Sequence, residues 1–239
     1  MIALNRFTIV LSLKRINFCP AEAHDERQAR RGGLRAGAGG VESLEKKALK
    51  ADAPGVLIFQ DEVEIHRHPA LARVWSAVGK QPEVPAPGKN EKRVVFGGVN
   101  YATGKFTYTV EETKCGAAFL VFLAALLAAY VGKKIRLVCD NGRFHHTKAV
   151  AAWLESHRDR IEVYWLPPYC PSLNLIERLW GHIKRTVLAN VLYRTLDDLV
   201  WAFRQGARRL TGRRERMGFM FNHDDLAPKK TTPPRKKAA

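Results

Sequence analysis

The chain has few cysteines, and they are poorly placed to work together. Of its 239 residues only Cys19, Cys115, Cys139 and Cys170 are cysteine, and no two form a C-x-x-C pair. That scatter excludes a cysteine-built zinc site and a disulfide framework, and it points to a reducing cytoplasm. Long apolar runs are missing as well. The stretch 117–131 is too short to span a bilayer and follows a charged turn, so it reads as a core helix and no membrane partner is expected. No export signal is expected either. Lys14-Arg15 cuts short the apolar run from Phe7 to Leu13, although Ala21-Glu22-Ala23 loosely mimics a cleavage site. The third shortage is of acidic residues. Asp and Glu number 23 against 40 Lys and Arg, a net charge of +17. Such an excess favours a polyanionic partner whose binding weakens steeply in salt.

The apolar fraction of 46% is ordinary and allows a sizeable core. The charge is uneven along the chain. Residues 1–50 hold ten Lys/Arg against five Asp/Glu, residues 51–203 nineteen against fifteen, and residues 204–239 eleven against three. The central part is nearly balanced and the basic excess sits in its flanks. Charge alone fits solvated tails and tails that touch nucleic acid equally well. Residues 20–51 read as a flexible linker, marked by Gly32-Gly33 and Gly37-Ala38-Gly39-Gly40, with a short helix from Leu44. Residues 226–239, rich in Pro and Lys, read as a disordered basic tail.

Between these flanks the pattern is that of an α/β domain. Val56-Leu57-Ile58-Phe59 is a continuous apolar run with turn residues on either side, as a buried strand should be. The segments 93–99 and 105–110 flank Ala102-Thr103-Gly104 and predict a hairpin. An Ala/Leu-rich helix is expected over 116–130, a strand over 135–139, a helix over 148–157, a strand over 161–166, and helices from Leu175 and Leu196. This order predicts a mixed sheet with helices on both faces, and ligands gather outside the carboxyl ends of its parallel strands.

Three acidic residues fall at such places. Asp61 follows the first strand, Asp140 follows the strand 135–139, and Glu177 lies at the start of a helix behind Pro167, Pro168 and Pro171. Together they would make an oxygen-ligand site for hard divalent cations, the kind that does phosphoryl transfer. Each also has a plainer account. Asp61 suits a turn, Asp140-Asn141-Gly142 is a turn signature, and Asn174 with Glu177 has the spacing of a capping box. His66 and His68 would share a strand face but lack further zinc ligands. Trp75, Trp165 and Trp180 read as core or half-buried. Arg178, Lys184 and Arg185 share the helix of Glu177, where they serve either as a solvated face or as phosphate contacts.

With those residues in view, residues 54–225 resemble the DDE transposases of bacterial insertion sequences, the six-thirty branch related to the mariner superfamily. The resemblance rests on three blocks in order: Phe59-Gln60-Asp61-Glu62, Cys139 to His145, and Pro168 to Trp180. The 36 residues between Asp140 and Glu177 are close to the spacing of that family. The resemblance implies a ribonuclease H-like fold over 52–225, with Asp61, Asp140 and Glu177 clamping two Mg²⁺ or Mn²⁺ ions. It implies double-stranded DNA as partner, at element ends and a TA target, with Arg143, His145, Arg178, Lys184 and Arg185 as DNA contacts and a homodimer as the active assembly. A nucleoid-associated place in the cytoplasm follows. Relatives carry an amino-terminal helix-turn-helix region. Residues 1–19 are expected to be a remnant of it, and the chain a truncated, frameshifted or split product. Two other functions stay open, a catalytically silent DNA-binding remnant that regulates a full-length transposase and a nuclease acting on RNA–DNA hybrids.

Overall fold

The computed structural model describes residues 55–78, 80, 82–86, 88–167, 173–212 and 220, together with 34–35, 40–41 and 43–44. Its centre is a mixed sheet of β1 (Leu34–Arg35), β2 (Val56–His66), β3 (Lys92–Asn100), β4 (Phe106–Glu111), β5 (Ile135–Cys139) and β6 (Ile161–Trp165), in the order β1-β6-β5-β2-β3-β4. The strands β1, β6, β5 and β2 are parallel, and β3 and β4 are antiparallel additions on the far side of β2. The expected hairpin is β3–β4. Asn100 closes its loop by accepting the backbone N–H of Ala102 and Thr103 at 2.9 and 3.0 Å, and Gly104 supplies a positive φ of 68°.

Helices cover both faces. On one face lie α1 (Gly116–Ala129) and α2 (Lys148–Ser156), and on the other α3 (Ile176–Ile183) and α4 (Leu196–Leu210). Strand alternation sorts β2 between them. Leu57, Phe59, Val63 and Ile65 enter the α3/α4 core, while Ile58 enters the α1/α2 core. The Ala- and Leu-rich composition of α1 gives it high helix propensity, and Ala118, Phe119, Phe122, Leu123 and Leu126 form its buried stripe. Val150 of α2 is buried beneath Trp153 and Leu154, as its periodicity predicts. Beyond α3 the chain continues as one π-helical stretch, Lys184–Leu188.

Four details differ from the sequence reading. β2 does not stop at Asp61 but runs to His66, because antiparallel pairing with β3 continues from Ile58↔Asn100 to His66↔Lys92 after the parallel pairing with β5 has ended. Asn174 does not cap the helix of Glu177. Leu175 holds the cap position, and the Asn174 amide turns away to the carbonyl of Gln60. Trp75 is not buried but 95% exposed, in a long excursion between β2 and β3, whereas Trp165 and Trp180 are buried as expected. Within the span read as linker, Leu34–Arg35 pairs with β6, Gly40, Val41, Ser43 and Leu44 are helical, and Val41 is buried. The segment 1–19, most of 20–51, the Pro168–Ser172 part of the third block and the tail 226–239 lie outside the described residues.

Candidate active site

The parallel pairing of β2 with β5 ends at Phe59↔Val138. Two residues further along each strand stand Asp61 and Asp140, so the two carboxylates share a level where β5 leaves the sheet. Asp61 is 8% exposed and receives a hydrogen bond from Trp180 Nε1 at 3.0 Å. Its carboxyl is pushed up to about 8, first by burial and then by the charges of Glu62, Glu177 and Asp140. Three acidic neighbours therefore act on one buried carboxyl. Glu177 joins them from the first turn of α3, where its own side chain is exposed.

Strand alternation turns Glu62 to the opposite face from Asp61, as expected if the strand continues. Its side chain is 1% exposed and is enclosed by cations. His145 Nε2 lies 3.1 Å from Glu62 Oε1, Lys114 Nζ lies 2.9 Å from Oε2, and Gln60 Nε2 donates to Oε1 at 2.6 Å. Burial works to raise the Glu62 carboxyl, but the His145 and Lys114 contacts outweigh it and hold it below the usual range. The other ring nitrogen of His145, Nδ1, lies 3.1 Å from Asp140 Oδ1. Burial opposes protonation of His145, yet its hydrogen bonds and charge pairing with Asp140 and Glu62 prevail and raise it to about 9. Asp140 is lowered in return. His145, the Gly142 N–H and Lys114 overcome the effect of its partial burial.

Among the described residues, Glu62, Asp140 and His145 form a trio whose ligand atoms lie within 4.8 Å of one another. His145 bridges the two acids, and its hydrogen bonds and charge pairing with them favour its protonated form. The surplus of negative charge lies on the other side, at Asp61, Asp140 and Glu177. Their carboxylate oxygens are the donor type that hard divalent ions take, and Asp140 is common to this group and to the trio with His145. Beside them opens a groove of about 700 Å³, lined by Glu62, Glu64, His66, Glu177, Trp180 and Lys184 among others.

Of the basic residues expected to meet DNA, Arg143, Arg178, Lys184 and Arg185 are exposed. Arg178 also donates to the carbonyl of Met220 at 2.9 Å. His145 departs from that expectation: it is 1% exposed and both ring nitrogens are committed to carboxylates, so it faces the acidic cluster and not the solvent. His66 pairs with Glu64 and Asn90 and belongs to no metal-type group among the described residues. Sequence reasoning passed over Lys114, which has no motif around it. In the block that holds Glu177, the sequence offers a capping-box spacing at Asn174 and a core or half-buried place for Trp180, and neither reveals the bonds these side chains make to β2.

Comparisons with known proteins bear on the family and the fold. The family model for DDE superfamily endonucleases matches residues 56–200, more than half of the chain. The chain is 32% identical over 149 residues to the insertion element IS630 uncharacterized 39 kDa protein of Shigella sonnei, which covers 62% of this chain and 43% of that protein. It thus spans less than half of that relative's length. Among solved structures it resembles the Mos1 mariner paired end complex with Mn, with TM-score 0.57, 17% identity, 83% of this chain and 61% of the other covered. It also resembles the Mos1 paired end complex with Mg, with TM-score 0.55, 15% identity and coverage of 92% and 64%. At such identities the likeness speaks for the fold, which is the ribonuclease H-like fold expected from the sequence. With Asp61 and Asp140 level at the rim of that sheet, Glu177 on the helix beyond, and a family match that spans all three, the chain belongs to the DDE superfamily endonucleases.

Proposed function

We propose that this chain cleaves and joins DNA strands as the catalytic part of a transposase, with Asp61, Asp140 and Glu177 as the residues that hold its metal ions. The observation that carries this reading is Asp61 itself. Its carboxyl is buried at the rim of the sheet and raised to about 8 by that burial and by the charges of Glu62, Glu177 and Asp140, so acidic groups converge there as metal-holding residues do. The relatives support it, because Mos1 structures were determined with Mn and with Mg. When bound, two such ions supply Lewis acidity, activating water or a DNA 3′-hydroxyl and stabilising the leaving oxygen.

The chain's own residues do the rest. Asp61, on a strand paired along most of its length, and Glu177, on the first turn of a helix, are held by rigid elements, which fixes the separation of the ligands. His145 holds Asp140 from behind and, with Lys114, neutralises Glu62, which keeps Asp140 ionised for a ligand. Phosphate contacts are assigned to Arg143, Arg178, Lys184 and Arg185, which are exposed and of which Lys184 lines the groove. We assign catalysis to residues 52–225, the substrate to double-stranded DNA at element ends and a TA target, and the working unit to a homodimer at the nucleoid. The paired-end complexes of the Mos1 neighbours favour that assembly.

A supercoiled-plasmid nicking assay tests the reading. Wild type should nick in Mg²⁺ or Mn²⁺ but not in EDTA, and Asp140→Ala and Glu177→Ala should fall to background. Undiminished cutting by Asp140→Ala would sink it. The surplus charge of the flanks keeps a second reading in play, a silent DNA-binding chain that regulates a full-length transposase. It would show salt-sensitive binding with no metal-dependent nicking.

A further inference from the structure

We propose that Trp180 is a positioning residue for Asp61, and that with Asn174 it forms a two-point clamp setting the helix of Glu177 in register with β2. This rests on the reading of Asp61 and Glu177 as metal-holding residues. Asn174, Glu177 and Trp180 follow one another at intervals of three. The two outer residues reach successive positions of β2. The Asn174 amide donates to the Gln60 carbonyl at 2.8 Å, and the Trp180 indole donates to Asp61 Oδ2 at 3.0 Å. Both bonds are buried, where a lost partner is costly. The rest of α3 meets the sheet through Ile176, Leu179 and Ile183, apolar contacts that resist sliding less than a directed bond.

The indole reaches Asp61 because of what stands opposite it. In the β2–β3 ladder the partner of Asp61 is Gly97, so the cross-strand neighbour carries no side chain. A Cβ built there would lie 2.4 Å from the Trp180 ring. The indole fills that slot, and the Phe106 ring meets it edge-on at 5.7 Å. Glycine inside a strand marks a close approach, and here the approaching group is a donor aimed at one carboxylate. An indole N–H donates and carries no charge, so it orients Asp61 without competing for the place of a cation, as Lys or Arg would.

The test uses the full chain and three variants: Trp180→Phe, which keeps a ring in the slot, Gly97→Ala, which crowds the ring, and Asn174→Ala. Each is followed by the Mn²⁺ concentration that half-saturates nicking, by calorimetric Mn²⁺ binding and by thermal melting. Loss of a group that orients a metal ligand typically weakens metal binding about 10–100-fold, so Trp180→Phe should raise the half-saturating concentration by about that factor while excess Mn²⁺ restores turnover. A purely structural role would lower the melting point and leave the metal dependence in place, which would overturn the proposal. The Trp180 indole ¹H–¹⁵N signal of the metal-free native chain gives a readout that needs no Trp180 variant. It should move in Asp61→Ala and on adding Mg²⁺, and indifference to both would also overturn the proposal. Wild type that neither binds Mn²⁺ nor nicks would instead sink the metal-site reading, and the clamp with it.

Discussion

On the proposed reading, Asp61 is the residue at which metal and proton would compete. Its carboxyl stands near 3.8 when unperturbed and near 8 in the folded, metal-free chain. Between those values the folded state holds a proton that the unfolded state releases, so stability of the metal-free protein should fall as pH rises through that window. Asp61→Asn has the same shape and no charge to bury. In EDTA it should melt higher than wild type near pH 8 and show a flatter pH dependence, and a lower melting point there would count against the raised carboxyl. His145 acts in the opposite sense, as the cation between two acids. Its removal in His145→Ala would leave Glu62, 1% exposed, with one compensating charge fewer. Breaking such a buried pair costs about 3 kcal/mol or more, readable by urea denaturation. A loss under about 1 kcal/mol would mean that water takes its place.

At the scale of elements, α3 and α4 are started by different devices. α3 begins without a side-chain cap at Leu175, and its entry is set by tertiary bonds to β2. α4 has the capping box, in which Thr195 accepts the Asp198 N–H and Asp198 accepts the Thr195 N–H, both at 3.1 Å. Thr195→Ala should cost about 1 kcal/mol, seen as a lower melting point with nicking unchanged, because the cap is exposed at the start of α4 and bonds only within that helix. Gly206 explains how closely α4 meets the π-helical stretch. A Cβ there would lie 2.6 Å from Val187, so Gly206→Ala should destabilise despite the better helix propensity of alanine.

At the scale of the molecule, two apolar layers enclose one sheet, and the acidic cluster opens at its rim inside a chain of charge +17. The domain between residues 51 and 203 is nearly balanced and the basic excess lies in the flanking sequence, a balance that favours a polyanionic partner. The tail 226–239 adds five Lys/Arg and no acid. If these meet phosphates, deleting the tail should flatten the plot of log affinity for duplex DNA against log salt by up to ~4 in slope, with nicking in low salt retained. An unchanged slope would show that the tail stays in solvent. No helix among the described residues is long and apolar enough to cross a membrane.

Much of this was legible in one dimension because local physics decides it. Apolar runs such as Val56–Phe59 and Ile135–Cys139 are too short and too β-branched to be helices, and the Ala/Leu stretch from Gly116 is too strong a helix former to be a strand. Their order foretold a mixed sheet with helices on both faces, and three acidic blocks in sequence pointed to the family. Other features depend on partners far apart in the chain. The pattern around Asp61 does not reveal that β2 continues, since the strand that extends it is β3, some thirty residues on. Glu62 gained His145 and Lys114, and Asn174 left the role of cap for a carbonyl 114 residues away. Trp180 met Asp61 only because Gly97 stood empty between them. Periodicity and composition act within a few turns of chain and so settle which elements form. The environment of a buried charge is set by whatever the fold packs against it, and that is known only when the strands and helices have closed around it.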